Sequence, residues 1–309
     1  MQQLFILGPQ RPDVNLDQAF KDIESSRPVA VISAGWQEAE NDIDSIANVI
    51  QRKLTDLRLY SHAEALFKKD GQLHELYRRR QDRLQERQRM HRIRLRQALL
   101  AARRLLRAEG DEQILRHEQR HAISQLRSLD RHHAKSIAAI HAEFDQVLED
   151  RPSDQLIRQT RRIAEVVADS DVVLITGGNV AVLVNRLRLF GLKDMLHDKT
   201  IVAWSAGAMA LTDHVVLFHD RTPLENRDAE LLDCGLGIIP GVVLLPDARH
   251  RLRRKDRVRI GLFSRRFAPA ASLTLDNGAM LHYRDGQPVS ASGVQRLLRS
   301  GRFRKARVR

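Results

Sequence analysis

Cysteine is almost absent. Cys234 stands alone among 309 residues, so neither an intrachain disulfide framework nor a multi-cysteine zinc site can form. Long apolar runs are missing as well: no segment approaches the roughly 18 consecutive apolar residues of a membrane-spanning helix. The opening Met1 to Gly8 lacks the basic and apolar regions of a signal peptide. A cytoplasmic protein without a membrane anchor is expected. Aromatic residues make up only 5% of the chain and do not interleave with its basic clusters, which argues against a base-stacking platform for nucleic acid.

Positive charge is abundant. The formal net charge is +13, with arginines dense at Arg249, Arg251, Arg253, Arg254, Arg257 and Arg259 and again in the tail from Arg302 to Arg309. Clustered cations attract phosphates, so nucleic-acid binding is carried as a reading, the least favoured one. The stretch from Arg249 to Arg259 also fits an amphipathic helix with solvated arginines, leaving one arginine to face a pocket.

Strand-like and helix-like segments alternate at both ends of the chain. Leu4 to Leu7 and Val29 to Ser33 are short apolar runs bounded by Gly or Pro, the length of buried strands. Glu38 to Leu54 carries Ile43, Ile46, Val49, Ile50 and Leu54 at helical spacing. The rhythm resumes at Asp154 to Val167, Val172 to Thr176, Val180 to Leu189 and Ile201 to Trp204, followed by strand-like runs at Val242 to Leu245 and Leu273 to Leu275. This predicts an α/β fold with a mostly parallel sheet flanked by helices.

Between these regions the composition turns to Arg, Gln, Leu, His and Ala, with a break at Glu109-Gly110-Asp111. That is the composition of long helices. Residues 1–60 and 151–309 are therefore expected to form one α/β domain, interrupted at 61–150 by an antiparallel helical hairpin that projects from it. Its narrow apolar seam suits a two-helix contact or a homodimer through the hairpin. His91 and His133 lie on the facing stripes, where interior histidines would meet.

Two segments carry candidate chemistry. Val172 to Thr176 ends in Gly177-Gly178-Asn179 just before a helical pattern, and glycines there let backbone N–H groups approach a ligand. Ile201 to Trp204 runs into Ser205, with Ala206, Gly207 and Ala208 opening the next helix. That is the logic of a nucleophile elbow, although Ala203 replaces the first glycine of Gly-x-Ser-x-Gly. A plain βα turn and a serine N-cap are the structural alternatives.

Thr176-Gly-Gly-Asn179, then Trp204-Ser-Ala-Gly-Ala208, then Gly235-Leu-Gly-Ile-Ile-Pro-Gly-Val242 resembles peptidase family S51, which contains aspartyl dipeptidase and cyanophycinase and is related to the class I glutamine amidotransferase fold. The resemblance spans Asp171 to about Leu245 and touches the N-terminal strands weakly, leaving 61–150 uncovered. It implies a flavodoxin-like sheet and a serine hydrolase acting on small peptides or isopeptides, acidic ones in particular, without a cofactor. Ser205 would be the nucleophile, Gly178 and Ala206 the oxyanion-hole donors, and Asp220 the acidic triad member. Gly177, Asn179 and Asp247 would contact substrate.

One position departs from the family pattern. Asp247 stands where the catalytic histidine is expected, and a serine without an imidazole base loses orders of magnitude in rate. His250, three residues on, is the candidate replacement base; His214 and His219 are also near the site in sequence. The competing reading is a pseudoenzyme that binds a partner through its basic hairpin. His117-Glu-Gln-Arg-His121 matches a zinc-protease pattern, but it sits in a histidine-rich helical stretch, and no metal is expected there.

Overall fold

The computed structural model describes residues 2–218, 220 and 228–307. The first half runs β1 (Gln3–Leu7), α1 (Leu16–Lys21), β2 (Val29–Ile32), α2 (Asp44–Ile50), β3 (Leu54–Asp56), α3 (Leu59–Lys69), α4 (Gly71–Leu105) and α5 (Glu112–Asp150). Next come α6 (Asp154–Ala168), β4 (Val172–Ile175), α7 (Val180–Leu189), α8 (Leu192–Met195), β5 (Thr200–Trp204), α9 (Ala206–Ala210), β6 (His214–Leu217) and β7 (Glu230–Cys234). The chain finishes with β8 (Val242–Pro246), α10 (Ala248–Arg251), α11 (Arg257–Arg266), β9 (Ala271–Leu275), β10 (Met280–Arg284), β11 (Gln287–Ser292), β12 (Gln295–Leu297) and β13 (Phe303–Lys305).

The central sheet has the order β11-β10-β1-β5-β4-β2-β3. Strands β1, β5, β4, β2 and β3 are parallel, and the β10–β11 hairpin adds an antiparallel edge. The inner strands read as unbroken apolar runs because both faces are covered. Ile6, Ile32, Ile175 and Ile201 point into one core, while Phe5, Val31, Leu174 and Val202 point into the other. This two-residue alternation divides every strand between two layers of helices.

The helix expected from Glu38 to Leu54 is shorter than its periodicity suggested. Ala34–Ala39 forms a 3-10 turn with Gln37 at φ 58°, and α2 stops at Gln51, which adopts a left-handed conformation. Leu54 leaves the helix because β3 pairs in parallel with β2, Leu54 opposite Val29. The backbone ladder captures the segment.

Helices α4 and α5 are antiparallel. Arg83 pairs with Glu143, Arg87 with Ser136, the His91 and His133 rings stack, and Gln119 Nε2 donates to Leu105 O at 3.0 Å. At 1.5 Å per residue, α4 extends about 52 Å. The pair does not project from the rest of the fold as its composition suggested; it lies along β7 and α11. At the far end Leu95, Leu99, Ala122, Leu126 and Leu129 form a small core that takes in Leu262 of α11. At the start of α4 and the end of α5, Leu73, Tyr77 and Phe144 join the main core, and between the two apolar regions the contact is polar: Glu230 accepts from Gln88 at 3.0 Å and from Arg92 at 2.6 and 2.9 Å. Buried polar groups need partners, and these bonds supply them for Gln88 and Glu230 where a thinly apolar helix face docks. Among the described residues, no helix is long and apolar enough to cross a membrane.

Candidate active site

Ser205 closes β5 and precedes α9 with φ 49° and ψ −112°, a backbone conformation costly for a residue with a side chain. Such strain persists only where the surroundings enforce it. The Ser205 N–H donates to Leu7 O at 3.2 Å, and its carbonyl accepts from Met209 N at 3.1 Å, fixing the turn at both ends. Gly207 is obligatory at the next turn, since a Cβ there would lie 2.5 Å from Ile175 O and 2.7 Å from Thr176 O. Helix α9 therefore rests directly on the end of β4, and Ser205 is lifted to the carboxyl edge of the sheet.

The loop after β4 lies beside it. A Cβ on Gly177 would sit 3.2 Å from Ser205 Cβ, and one on Gly178, whose φ is 108°, would sit 2.3 Å from Gly35 O. Close backbone approach and a positive φ require glycine at 178, while Gly177 leaves room for the Ser205 and Trp204 side chains. Asn179 donates its N–H to Gly35 O at 2.7 Å, while its Oδ1 caps α7 by accepting from Ala181 N and Val182 N at 3.1 and 3.3 Å. Ala206 is the first residue of α9, so its N–H has no intrahelical acceptor.

Ser205, Gly177, Gly178, Asn179, Ala206 and Asp247 all line one cleft of about 1080 Å³. Six residues singled out from the sequence thus meet at one place. Asp247 follows β8 in a left-handed conformation (φ 58°, ψ 39°) and donates its N–H to Leu275 O at 3.0 Å. Its Oδ1 is 2.5 Å from His250 Nδ1, and Arg251 Nε is 3.6 Å from its Oδ2. Because a carboxylate accepts, His250 Nδ1 carries the proton, and in the neutral ring Nε2 keeps its lone pair. The His250 side chain is 83% exposed and does not line the cleft.

Asp220 is held by arginines. It is 3% exposed, its Oδ1 accepts from Arg259 at 2.6 Å and its Oδ2 from Arg253 N–H at 3.2 Å. Arg259 also reaches Asp228 at 3.1 Å. Among the described residues no hydrogen bond joins Asp220 to His250; the attraction of a buried guanidinium for a buried carboxylate decides its partner. His214 is exposed at the start of β6, and His219 lies outside the described residues. His117 and His121 sit on the exposed side of α5.

Sequence reasoning passed over the wall opposite Ser205. Trp36, in the 3-10 turn, lies 6.5 Å from Trp204 between ring centroids at an interplanar angle of 50°, and both line the cleft. Gly35 was a readable signal, since a Cβ there would lie 2.5 Å from Gly177 O. Arg251 is the member of the basic cluster that lines the cleft, together with Arg11 from the loop after β1.

Fold and site together define an α/β protein with a serine on a strained strand-to-helix turn at the carboxyl edge of a mostly parallel sheet. The profile of peptidase family S51 matches residues 134–290, just over half of the chain. The protein belongs to peptidase family S51, a family of peptidase-like hydrolases. Among solved structures, it is similar to the crystal structure of a peptidase from an acI-B1 Actinobacterium, at 14% identity and a TM-score of 0.47, over 99% of this chain and 97% of that one. No curated protein sequence matches this chain.

Proposed function

We propose that the protein is a cytoplasmic serine hydrolase that cleaves small peptides or isopeptides through Ser205. The observation that carries this reading is the strained backbone of Ser205 at the β5–α9 turn, inside a cleft it shares with Gly178 and Ala206. Ser205 Oγ attacks the scissile carbonyl carbon, its proton passes to a base, and the carbonyl oxygen becomes an oxyanion stabilised by the N–H groups of Gly178 and Ala206. Collapse expels the amine, which takes up that proton, and water then hydrolyses the acyl-enzyme. The base in this reading is His250 through Nε2. Asp247, already on Nδ1, replaces Asp220 as the carboxylate that orients the ring, and the exposed imidazole turns toward Ser205 about that bond.

A second reading is favoured by one specific observation: among the described residues no histidine touches Ser205 Oγ, and the His250 ring stands outside the cleft. In that reading the chain is a binding protein that retains the elbow without its base and uses α4 and α5 to dimerise or to dock on an acidic partner.

Reaction with a fluorophosphonate probe separates the two. Labelling of wild type that is lost in Ser205→Ala and in His250→Ala supports the hydrolase. A wild type that stays unlabelled, with labelling gained in Asp247→His, overturns it in favour of the binding protein.

A further inference from the structure

The cleft, about 1080 Å³, is lined by many residues beyond the elbow, and they differ in chemistry. Asp247 and Arg251 contribute an ion pair to the lining. Its lining also includes an apolar wall in which half-buried Trp36 and Val49 pack with buried Leu16, Ile46 and Trp204; Val14, 45% exposed, lines the same cleft, as do Gln10, Arg11, Asp42 and Ser45. An accessible apolar surface that is concave and sits beside candidate reacting atoms is a ligand-binding feature, because covering it removes that surface from water.

We propose that this wall is a subsite for a large apolar side chain, aromatic or branched aliphatic, on a residue next to the scissile bond; the proposal rests on the reading of Ser205 as the reacting group. Position supports it. Trp204 immediately precedes Ser205, and a Cβ on Gly178 would lie only 3.0 Å from Trp36 Cδ1, so the indole edge adjoins a candidate oxyanion donor. A peptide with its carbonyl at Ser205 therefore lays a neighbouring side chain on Trp36.

Charge decides against an acidic side chain in the same place. The cations lining the cleft are Arg11 and Arg251, and the carboxylates are Asp42 and Asp247. Arg251 is already 3.6 Å from Asp247, so an incoming carboxylate would have to compete with Asp247 for it. An apolar side chain meets no such opposition. Trp36 would set the preference by contact area and would take no part in proton transfer.

The test uses Ser205→Ala protein, which reads binding without turnover, titrated calorimetrically with Ala-Phe-Ala and with Ala-Asp-Ala. The Phe peptide is expected to bind about tenfold more tightly, the discrimination a buried apolar side chain provides. Adding Trp36→Ala should bring the ratio to near one. Val14→Asp, on an exposed residue that folding does not depend on, should do the same by placing a carboxylate in the wall. Equal or tighter binding of the Asp peptide, no binding of either, or a preference that survives both substitutions overturns the subsite. A Phe preference in a protein whose wild type is not labelled by fluorophosphonate sinks the hydrolase reading alone, while labelling without preference sinks the subsite alone.

Discussion

The imidazole rings of His91 and His133 stack face to face, their centroids 3.9 Å apart and their planes 3° from parallel, in the seam that joins the long helices to β7. Gln88 donates its amide to Glu230, which fixes its Oε1 toward His133 Nε2 at 2.8 Å; Leu231 O lies 3.2 Å from the same nitrogen. Both neighbours accept, so Nε2 carries the proton of a neutral ring. His91 faces Asp130 at 3.5 Å, and Asp130 is held by the Arg266 fork at 2.6 and 2.7 Å.

Acid should therefore loosen this seam. Burial lowers His91 to about 4, helped by His133 and more weakly by Arg266 against the opposing pull of Asp130 and Glu230. Burial likewise lowers His133 to about 4, with Arg87 helping and the Leu231 carbonyl, Asp130 and Glu230 opposing. The unfolded chain, with ordinary histidines near 6.5, binds more protons between pH 6.5 and 4, so stability falls as pH drops through that window. A loss on the order of 2 kcal/mol is expected, visible in urea midpoints at pH 7 and pH 4.5. His91→Phe keeps the stack, removes a titrating group and should make the dependence shallower; an unchanged slope would assign the acid sensitivity to other groups.

Asp220 and Arg259 form a structural pair. Asp220→Asn should lower stability by about 2 kcal/mol, less than a fully stranded partner would cost, because Arg259 keeps Asp228. Fluorophosphonate labelling should stay within about threefold of wild type. A fall of several orders of magnitude in labelling with stability unchanged would restore Asp220 as the acidic triad member.

Gly178→Ala should be severe. It adds a Cβ 2.3 Å from Gly35 O at a backbone φ of 108°. A cost of about 3 kcal/mol is expected, with loss of labelling as the loop withdraws its N–H from Ser205. Thermal denaturation alongside labelling checks it, and a variant with wild-type stability and reactivity would mean that the loop is free to move.

Docking of the helix pair can be weighed at one residue. Leu262 of α11 is 2% exposed and belongs to the cluster formed by Leu95, Leu99, Leu126 and Leu129. Leu262→Ala should cost about 3 kcal/mol in urea denaturation. A cost below about 0.5 kcal/mol, the range of surface substitutions, would show helices standing free of α11 in solution.

Local pattern carried much of the fold. The apolar runs at Leu4 to Leu7, Val29 to Ser33, Val172 to Thr176 and Ile201 to Trp204 coincide with strands β1, β2, β4 and β5 to within one residue at either end, and Val180 to Leu189 is a helix at the expected bounds. These were legible because burial on both faces imposes an apolar run on a parallel strand and the helical period imposes a stripe. The elbow was legible for a similar reason: Gly178 and Gly207 answer to backbone atoms close by in the fold, and Gly177 to the Ser205 and Trp204 side chains. The β10–β11 hairpin and the β12–β13 pair left weaker signals, since β11 is largely exposed and the other two strands have three residues each.

By itself the sequence determined the α/β alternation, the two long helices and the meeting of small residues around Ser205, all of which follow from short-range periodicity and sterics. Only the tertiary structure decided which charges meet. Arg92 finds Glu230 across 138 residues, Asp220 goes to Arg259, His250 turns to Asp247 at the cleft mouth, and the helix pair lies along β7 and α11. A charged side chain leaves no periodic trace of its partner. Its choice is made by desolvation and distance once the chain has folded, and neither quantity exists along a linear sequence.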